Sequence, residues 1–231
     1  MTQNKKNISE QEQSAHEGDL YKKVETFFLA NRNAIIGVFA AIVIAIGGYF
    51  GYKKLIQEPK ELDARSKIAA AQVYFEKDSL NLALNGDGIN PGFLAITSSY
   101  KNTATGNLAN YYTGLIYLKQ QNIDEAINYL SKYKPGTSEL EGLTNRLLGD
   151  AWSEKGDMDK AVNFYKSAGK AANSDFFSPT YYKMAGDLLL MQEKYADAIA
   201  VFEIIQLEYP LSEEGQNIQK EIAYASAKLG K

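Results

Sequence analysis

The chain has 231 residues, 45% hydrophobic and 23% charged, enough for one substantial domain plus an appendage. A net charge of −3 argues against a nucleic-acid surface, which needs a clustered basic excess to displace counterions from phosphates. The chain holds no cysteine, so disulfides, zinc–thiolate sites, thiol nucleophiles and a lipidated N-terminal cysteine are excluded. Residues 1–32 carry five basic and five acidic side chains and read as a polar, disordered tail that turns helical near Asp19–Phe28. Residues 33–53 read as a transmembrane helix: Ala34–Tyr52, AIIGVFAAIVIAIGGYFGY, contains no charge. At ~1.5 Å per residue it spans roughly 28 Å, close to the ~30 Å hydrocarbon core of a bilayer. Arg32 stands before it and Lys53 and Lys54 close it; the ending GGYFGYKK lacks a small-x-small cleavage site, so an uncleaved anchor is expected. Gly47 and Gly51 form a GxxxG, a possible homodimer contact between membrane helices.

Residues 54–105 hold a degenerate first helical pair and a loop. Leu62–Asp78 and Gly92–Tyr100 read as its two helices, separated by SLNLALNGDGIN, a connection too long for a hairpin turn. The loop at 79–90 is either a protrusion or locally folded. Residues 106–210 then write one phrase three times: NIDEAINYLSKY from Asn122, DMDKAVNFYKSA from Asp157 and KYADAIAVFEII from Lys194. Aligned on Ala126, Ala161 and Ala198, the phrases have Gly114, Gly149 and Gly186 at a constant distance upstream. Three residues after each glycine stands Tyr117, Trp152 or Leu189, and four after each alanine stands Leu130, Tyr165 or Phe202. Small residues let two antiparallel helices approach, and large ones a turn away fill the space beside them. One such pair cannot bury its apolar face alone, so neighbours must stack. Residues 211–231 read as a capping helix, with Ser212 as N-cap, Glu213 and Glu214 in the first turn, and an apolar stripe of Ile218, Ile222, Ala225 and Leu229. The expected fold is all-α: a single membrane helix followed by a helical-hairpin solenoid and its cap.

A search for chemistry finds little. The single histidine, His16, cannot make a metal site or a triad, and the run Asn85–Gly88 lacks the lysine and helix entry of a phosphate loop. Asp124, Glu125, Asp157 and Asp159 sit at helix starts, where carboxylates suit the helix dipole. No catalytic, cofactor or metal role is therefore expected. A solenoid offers instead the groove lined by its first helices. Its candidates are Leu108, Tyr111, Leu115 and Leu118 in the first unit, Leu143, Arg146 and Asp150 in the second, and Lys183, Asp187 and Leu190 in the third. About half of these also read as inter-repeat core. Arg146–Asp150 and Lys183–Asp187 are spaced to neutralise each other, so the groove is a poor carboxylate trap and suits an apolar segment or a partner helix.

The repeated pattern resembles the tetratricopeptide repeat. It departs from it at Asn110 and Asn145, where an aromatic or leucine is usual and only Tyr182 complies, and in having a repeat-end proline only at Pro210. The order of parts, with the stretches ALNGDG (Ala83–Gly88), GNLANYY (Gly106–Tyr112) and YPLSEEGQNI (Tyr209–Ile218), resembles the YfgM-like family of bacterial inner-membrane proteins. That resemblance implies a non-enzymatic ancillary subunit of the Sec translocon. Its repeats would stand in the periplasm, and its partners would be translocon subunits, a chaperone or prolyl isomerase, and client chains. The same architecture also serves an envelope scaffold for cell-wall or division machinery, or a cytosol-facing import receptor. Charge does not choose the orientation, because Lys22, Lys23 and Arg32 are balanced by Lys53, Lys54 and Lys60.

Overall fold

The computed structural model describes residues 22–23 and 25–230, so most of the polar tail, with His16, lies outside the described residues. The described residues are overwhelmingly helical and contain no strand, only one isolated bridge between Gly86 and Pro91. The chain divides into two compact units, Met1–Pro59 and Lys60–Lys231.

In the first unit, α1 (Arg32–Tyr52) carries the apolar run. The helical stretch that it opens is long and apolar enough to cross a membrane, and none of α1 is buried. Val38, Phe39 and Ile44 are all exposed. A π-helical turn, Lys53–Gln57, follows, in which the Glu58 N–H reaches back to the Lys53 carbonyl. The wider turn directly precedes Pro59, whose ring has no N–H and crowds the carbonyl four residues back.

The second unit is a run of hairpins: α2 (Glu58–Glu76), α3 (Leu80–Asn85), α4 (Phe93–Ser99), α5 (Ala104–Lys119), α6 (Ile123–Lys132), α7 (Ser138–Glu154), α8 (Met158–Ala172), α9 (Ser178–Met191) and α10 (Tyr195–Glu208). Each of the three full pairs, α5/α6, α7/α8 and α9/α10, is closed by the same device. A residue with positive φ, Gln121, Gly156 or Glu193, turns the chain. Its N–H bonds the carbonyl three residues back, and the next N–H bonds Tyr117, Trp152 or Leu189. Across each pair, a Cβ added at Gly114 would lie 2.6 Å from Leu130, one at Gly149 2.6 Å from Tyr165, and one at Gly186 2.1 Å from Phe202. Ala126, Ala161 and Ala198 are each fully buried. The repeated phrase is thus the second helix of a hairpin whose backbones approach at a glycine and are wedged by a large side chain. Burying each Leu, Tyr or Phe wedge contributes roughly 1.5–3 kcal/mol.

The same turn occurs a fourth time, and there the structure differs from the sequence reading. Asp78 has φ of 55°, its N–H bonds Phe75, and the Ser79 N–H bonds Tyr74. The helix that follows α2 directly is therefore α3, not the segment from Gly92. The long connection is an interruption after α3 rather than the hairpin turn itself, and it is folded. Asp87 accepts from the N–H groups of Ile89 (2.8 Å) and Asn90 (2.6 Å) and from the Tyr74 hydroxyl (2.8 Å). These bonds, those of Asn90 foremost, hold its carboxyl far below the usual carboxylate range. Ile89, at the tip of this loop, is 92% exposed.

Stacking of the pairs uses further glycines that the repeat alignment did not single out. An added Cβ at Gly169 would meet the ring of Tyr182 at 2.8 Å, and one at Gly106 would meet the Tyr100 carbonyl at 2.0 Å. Lys119–Asp78, Lys155–Asp124 and Lys194–Asp159 pair the turn of each hairpin with the preceding one. These exposed ties are worth at most about 1 kcal/mol each. The last segment is two helices, α11 (Glu213–Asn217) and α12 (Gln219–Lys228), bent at Ile218. The Ser212 hydroxyl caps α11 by accepting the Gly215 N–H at 2.9 Å, as expected of that residue. Ile218 and Ala225 are buried, but Leu229 is exposed and lies outside the expected stripe.

Candidate functional site

The first helices α5, α7 and α9 place Tyr111, Arg146 and Lys183 at one repeat position, each three residues before its hairpin glycine. One helical turn on, Leu115, Asp150 and Asp187 share the next position. All ten candidates read from the sequence are half-buried. Tyr111, Leu115, Leu118 and Leu143 pack around the buried Leu130, Leu147 and Leu148. Leu108 packs on the cluster containing Ala109 and Ile116, and Leu190 on that containing Tyr182 and Phe202. The apolar candidates are thus shared between inter-helix packing and an open side.

The charged candidates pair as their spacing predicts. Arg146 Nη1 meets Asp150 Oδ2 at 2.9 Å, and Lys183 Nζ meets Asp187 Oδ2 at 2.7 Å. Asp150 is also held from the second helix of its own hairpin, because the Tyr165 hydroxyl donates to Oδ1 at 2.8 Å. Both carboxylate oxygens are therefore engaged, and the arginine sits next to its own counter-charge. Burial first, and then the bond to Asp150, push the Tyr165 hydroxyl far above its ordinary value.

Tyr133 and Tyr181 join this surface, and neither was singled out from the sequence. The Tyr133 ring lies 5.1 Å from that of Tyr111. The electrostatic neighbours of Tyr111 include Tyr133, Arg146 and Tyr181, which places α5, the end of α6, α7 and α9 around one patch. Tyr133 and Tyr181 are only 9% and 6% exposed. Among the described residues, the hydroxyls of Tyr111, Tyr133 and Tyr181 have no hydrogen-bond partner, and none of the three oxygens is sealed from solvent. Burial raises all three pKa values, so each hydroxyl is a protonated donor near neutral pH. The signal that could have found Tyr133 and Tyr181 is weak: both lie off the repeat positions that face outward, and sixteen tyrosines dilute any pattern.

A second concavity lies on the other side of the repeats, between α8 and α10. Val162, Leu189 and Val201 form its floor, and Asn163, Lys166 and Lys194 line its rim. Trp152, at a hairpin turn, is flanked by two lysines, with Lys160 Nζ 3.9 Å from the ring centre and Lys155 Nζ 5.1 Å from it. Among the described residues no group of histidine, aspartate and glutamate side chains is arranged to hold a metal ion.

Residues 108–134 match the family description "Tetratricopeptide repeat". The match covers most of α5, all of α6 and the turn at Gln121, and so includes Gly114, Ala126 and Leu130. No curated protein matches the chain. The match agrees with the hairpin geometry: this chain carries a tetratricopeptide repeat, a protein–protein interaction module.

Proposed function

We propose that the chain is a membrane-anchored, non-enzymatic interaction module that receives protein partners on its first-helix face. It works as an ancillary subunit of the Sec translocon and helps pass emerging chains to a periplasmic chaperone or prolyl isomerase. The observation that carries the binding reading is the patch of Tyr111, Tyr133, Arg146 and Tyr181, where three largely buried tyrosines present hydroxyls that solvent reaches. A buried ring with an accessible hydroxyl is the kind of anchor that interfaces favour, because its rotamer entropy is already lost. The anchoring reading rests on α1, and the translocon reading on the likeness of the whole chain to the YfgM-like family. Gly47 and Gly51 stand one helical turn apart on α1, the spacing that lets two membrane helices approach closely, and this supports pairing of two copies through that face.

Two measurements test this. Purification in mild detergent is expected to recover translocon subunits; recovery of cell-wall enzymes alone would move the chain to the envelope-scaffold role. The absence of cysteine makes orientation a clean second test. A single thiol placed at the exposed Ser131 should react with a membrane-impermeant maleimide in intact spheroplasts, and one at Ser9 only after lysis. The opposite pattern would put the repeats in the cytosol and end the translocon reading.

A further inference from the structure

The second helices of the three hairpins do not share one outward face. Aligned by repeat position, Asp124 and Asp159 give way to Ala196, Asn128 and Asn163 to Ala200, and Lys170 to Leu207. Ala196, Ala200 and Leu207 are all exposed, Leu207 at 77%. α6 and α8 are one-sided amphipathic helices, whereas α10 is apolar nearly all round, the pattern of a helix covered on every side. The capping helices do not cover this ridge: they pack on another flank, where the Gln206 amide donates to Gln219 at 2.6 Å. Beside the ridge lies the α8–α10 cleft, of about 510 Å³, floored by Val162, Leu189 and Val201. An apolar ridge next to an apolar cleft is complementary to itself when turned over about an axis along the cleft, the geometry of a two-fold interface. The charges obey the same rule. Lys166 on α8 and Glu203 on α10 hold the same repeat position on the two helices that wall the cleft, and Lys170 and Asp197 extend the basic and the acidic side. Asp159 and Lys194 neutralise each other between the two helices. The rotation therefore lays the basic side of one copy on the acidic side of the other, and Lys166 on Glu203.

We propose that the outward face of α8 and α10 joins two copies of this chain, α10 of each packing against the cleft and α8 of the other, with Lys166 beside Glu203 of the second copy. Other proteins meet the chain on the first-helix face, and this side takes the second copy alone. At ~1.5 Å per residue along the helices and ~10 Å between their axes, the face covers roughly 400 Å² per copy, below the ~800 Å² of a free-standing interface. The contact therefore needs the two copies held together, which a shared membrane does by raising their effective concentration; this step rests on the reading of α1 as an anchor. The chain has no cysteine, so Asn163→Cys and Ala200→Cys, again at one repeat position, give chains with a single thiol each. The two full chains, differently tagged, are co-expressed, and their membranes are treated with a short bis-maleimide. A product joining the two tags is expected, at least about fivefold above the product of either variant expressed alone, because the two-fold contact sets 163 against 200 and not against itself. Lys166→Glu in both chains should lower that product roughly tenfold, since symmetry repeats the lost pair twice, and Glu203→Lys added to it should restore the product. Equal product from Asn163→Cys alone, or no recovery on the second charge reversal, would overturn the proposal. An alkaline carbonate wash separates the two readings. Absence of product from a chain that the membrane retains would overturn this interface alone, whereas release of the chain would overturn the anchor and the interface with it.

Discussion

The interior of the hairpins and the face of their first helices are built from the same repeat positions but follow opposite rules. Inside, the position of Gly114, Gly149 and Gly186 never changes, and the side chain it meets is always large. On the face, the position three residues earlier reads Tyr111, Arg146 and Lys183, and the position one later reads Leu115, Asp150 and Asp187. Sameness follows from close packing, since two backbones approaching at a glycine leave no room for a second solution. Variation follows from exposure, where packing does not dictate the residue and a ligand can. Positions that vary between otherwise identical units are therefore the ones to search for specificity.

The comparison can be broken most severely from the inside. Gly186→Leu would drive a side chain into the ring of Phe202, and overpacking of this kind costs about 3 kcal/mol or more. Ala161→Leu, at a fully buried alanine, should cost roughly 1–3 kcal/mol. Thermal unfolding of the full chain in detergent measures both, and an unchanged melting temperature for either would mean that the repeat register is wrong.

Tyr165→Phe joins interior and face, because it keeps the wedge against Gly149 and removes the bond to Asp150. It should cost about 1.5 kcal/mol near neutral pH. The folded hydroxyl keeps its proton above pH 10, where an unfolded tyrosine releases it, so the stability it contributes is complete below about pH 10 and is lost as the pH rises further. The parent chain should therefore lose stability more steeply above pH 10 than Tyr165→Phe does. Parallel alkaline melting curves would contradict this.

A smaller effect, of opposite sign, tests whether the four turns are one device. Gln121 and Glu193 occupy the left-handed conformation that Gly156 occupies in the second hairpin, and a side chain there is strained. Glu193→Gly should raise stability by about 0.5–1 kcal/mol, where most glycine substitutions lower it. Smallest of all, Lys183→Met on the face should leave stability within about 0.5 kcal/mol, as a solvent-reached i,i+4 pair contributes little.

These same contacts explain what the sequence made legible. The glycine, alanine and wedge spacing survives in the chain because each depends on the size of the other two, so three copies were enough to locate the hairpins. The fourth turn escaped notice because α3 stops after six residues at Gly86 and so carries no copy of the repeated phrase. Gly106, Gly142 and Gly169 had no repeated partner to align with: the first meets a carbonyl, the second an alanine backbone, the third a tyrosine ring. The face was half legible. Leu108, Leu115, Leu118, Arg146 and Asp150 follow from helical period, whereas Tyr133 and Tyr181 arrive from a helix end and from a neighbouring hairpin, which no single-helix period encodes.

The claim that the varied face, rather than the opposite side, receives partners is tested most directly by site-specific photo-crosslinking of the full chain in cells. A probe at Tyr111, on a first helix, and a probe at the exposed Lys166, on a second helix beside the α8–α10 cleft, sample the two kinds of surface. Crosslinked partner chains are expected from position 111 and not from position 166. Equal capture from both, or capture from 166 alone, would contradict the account.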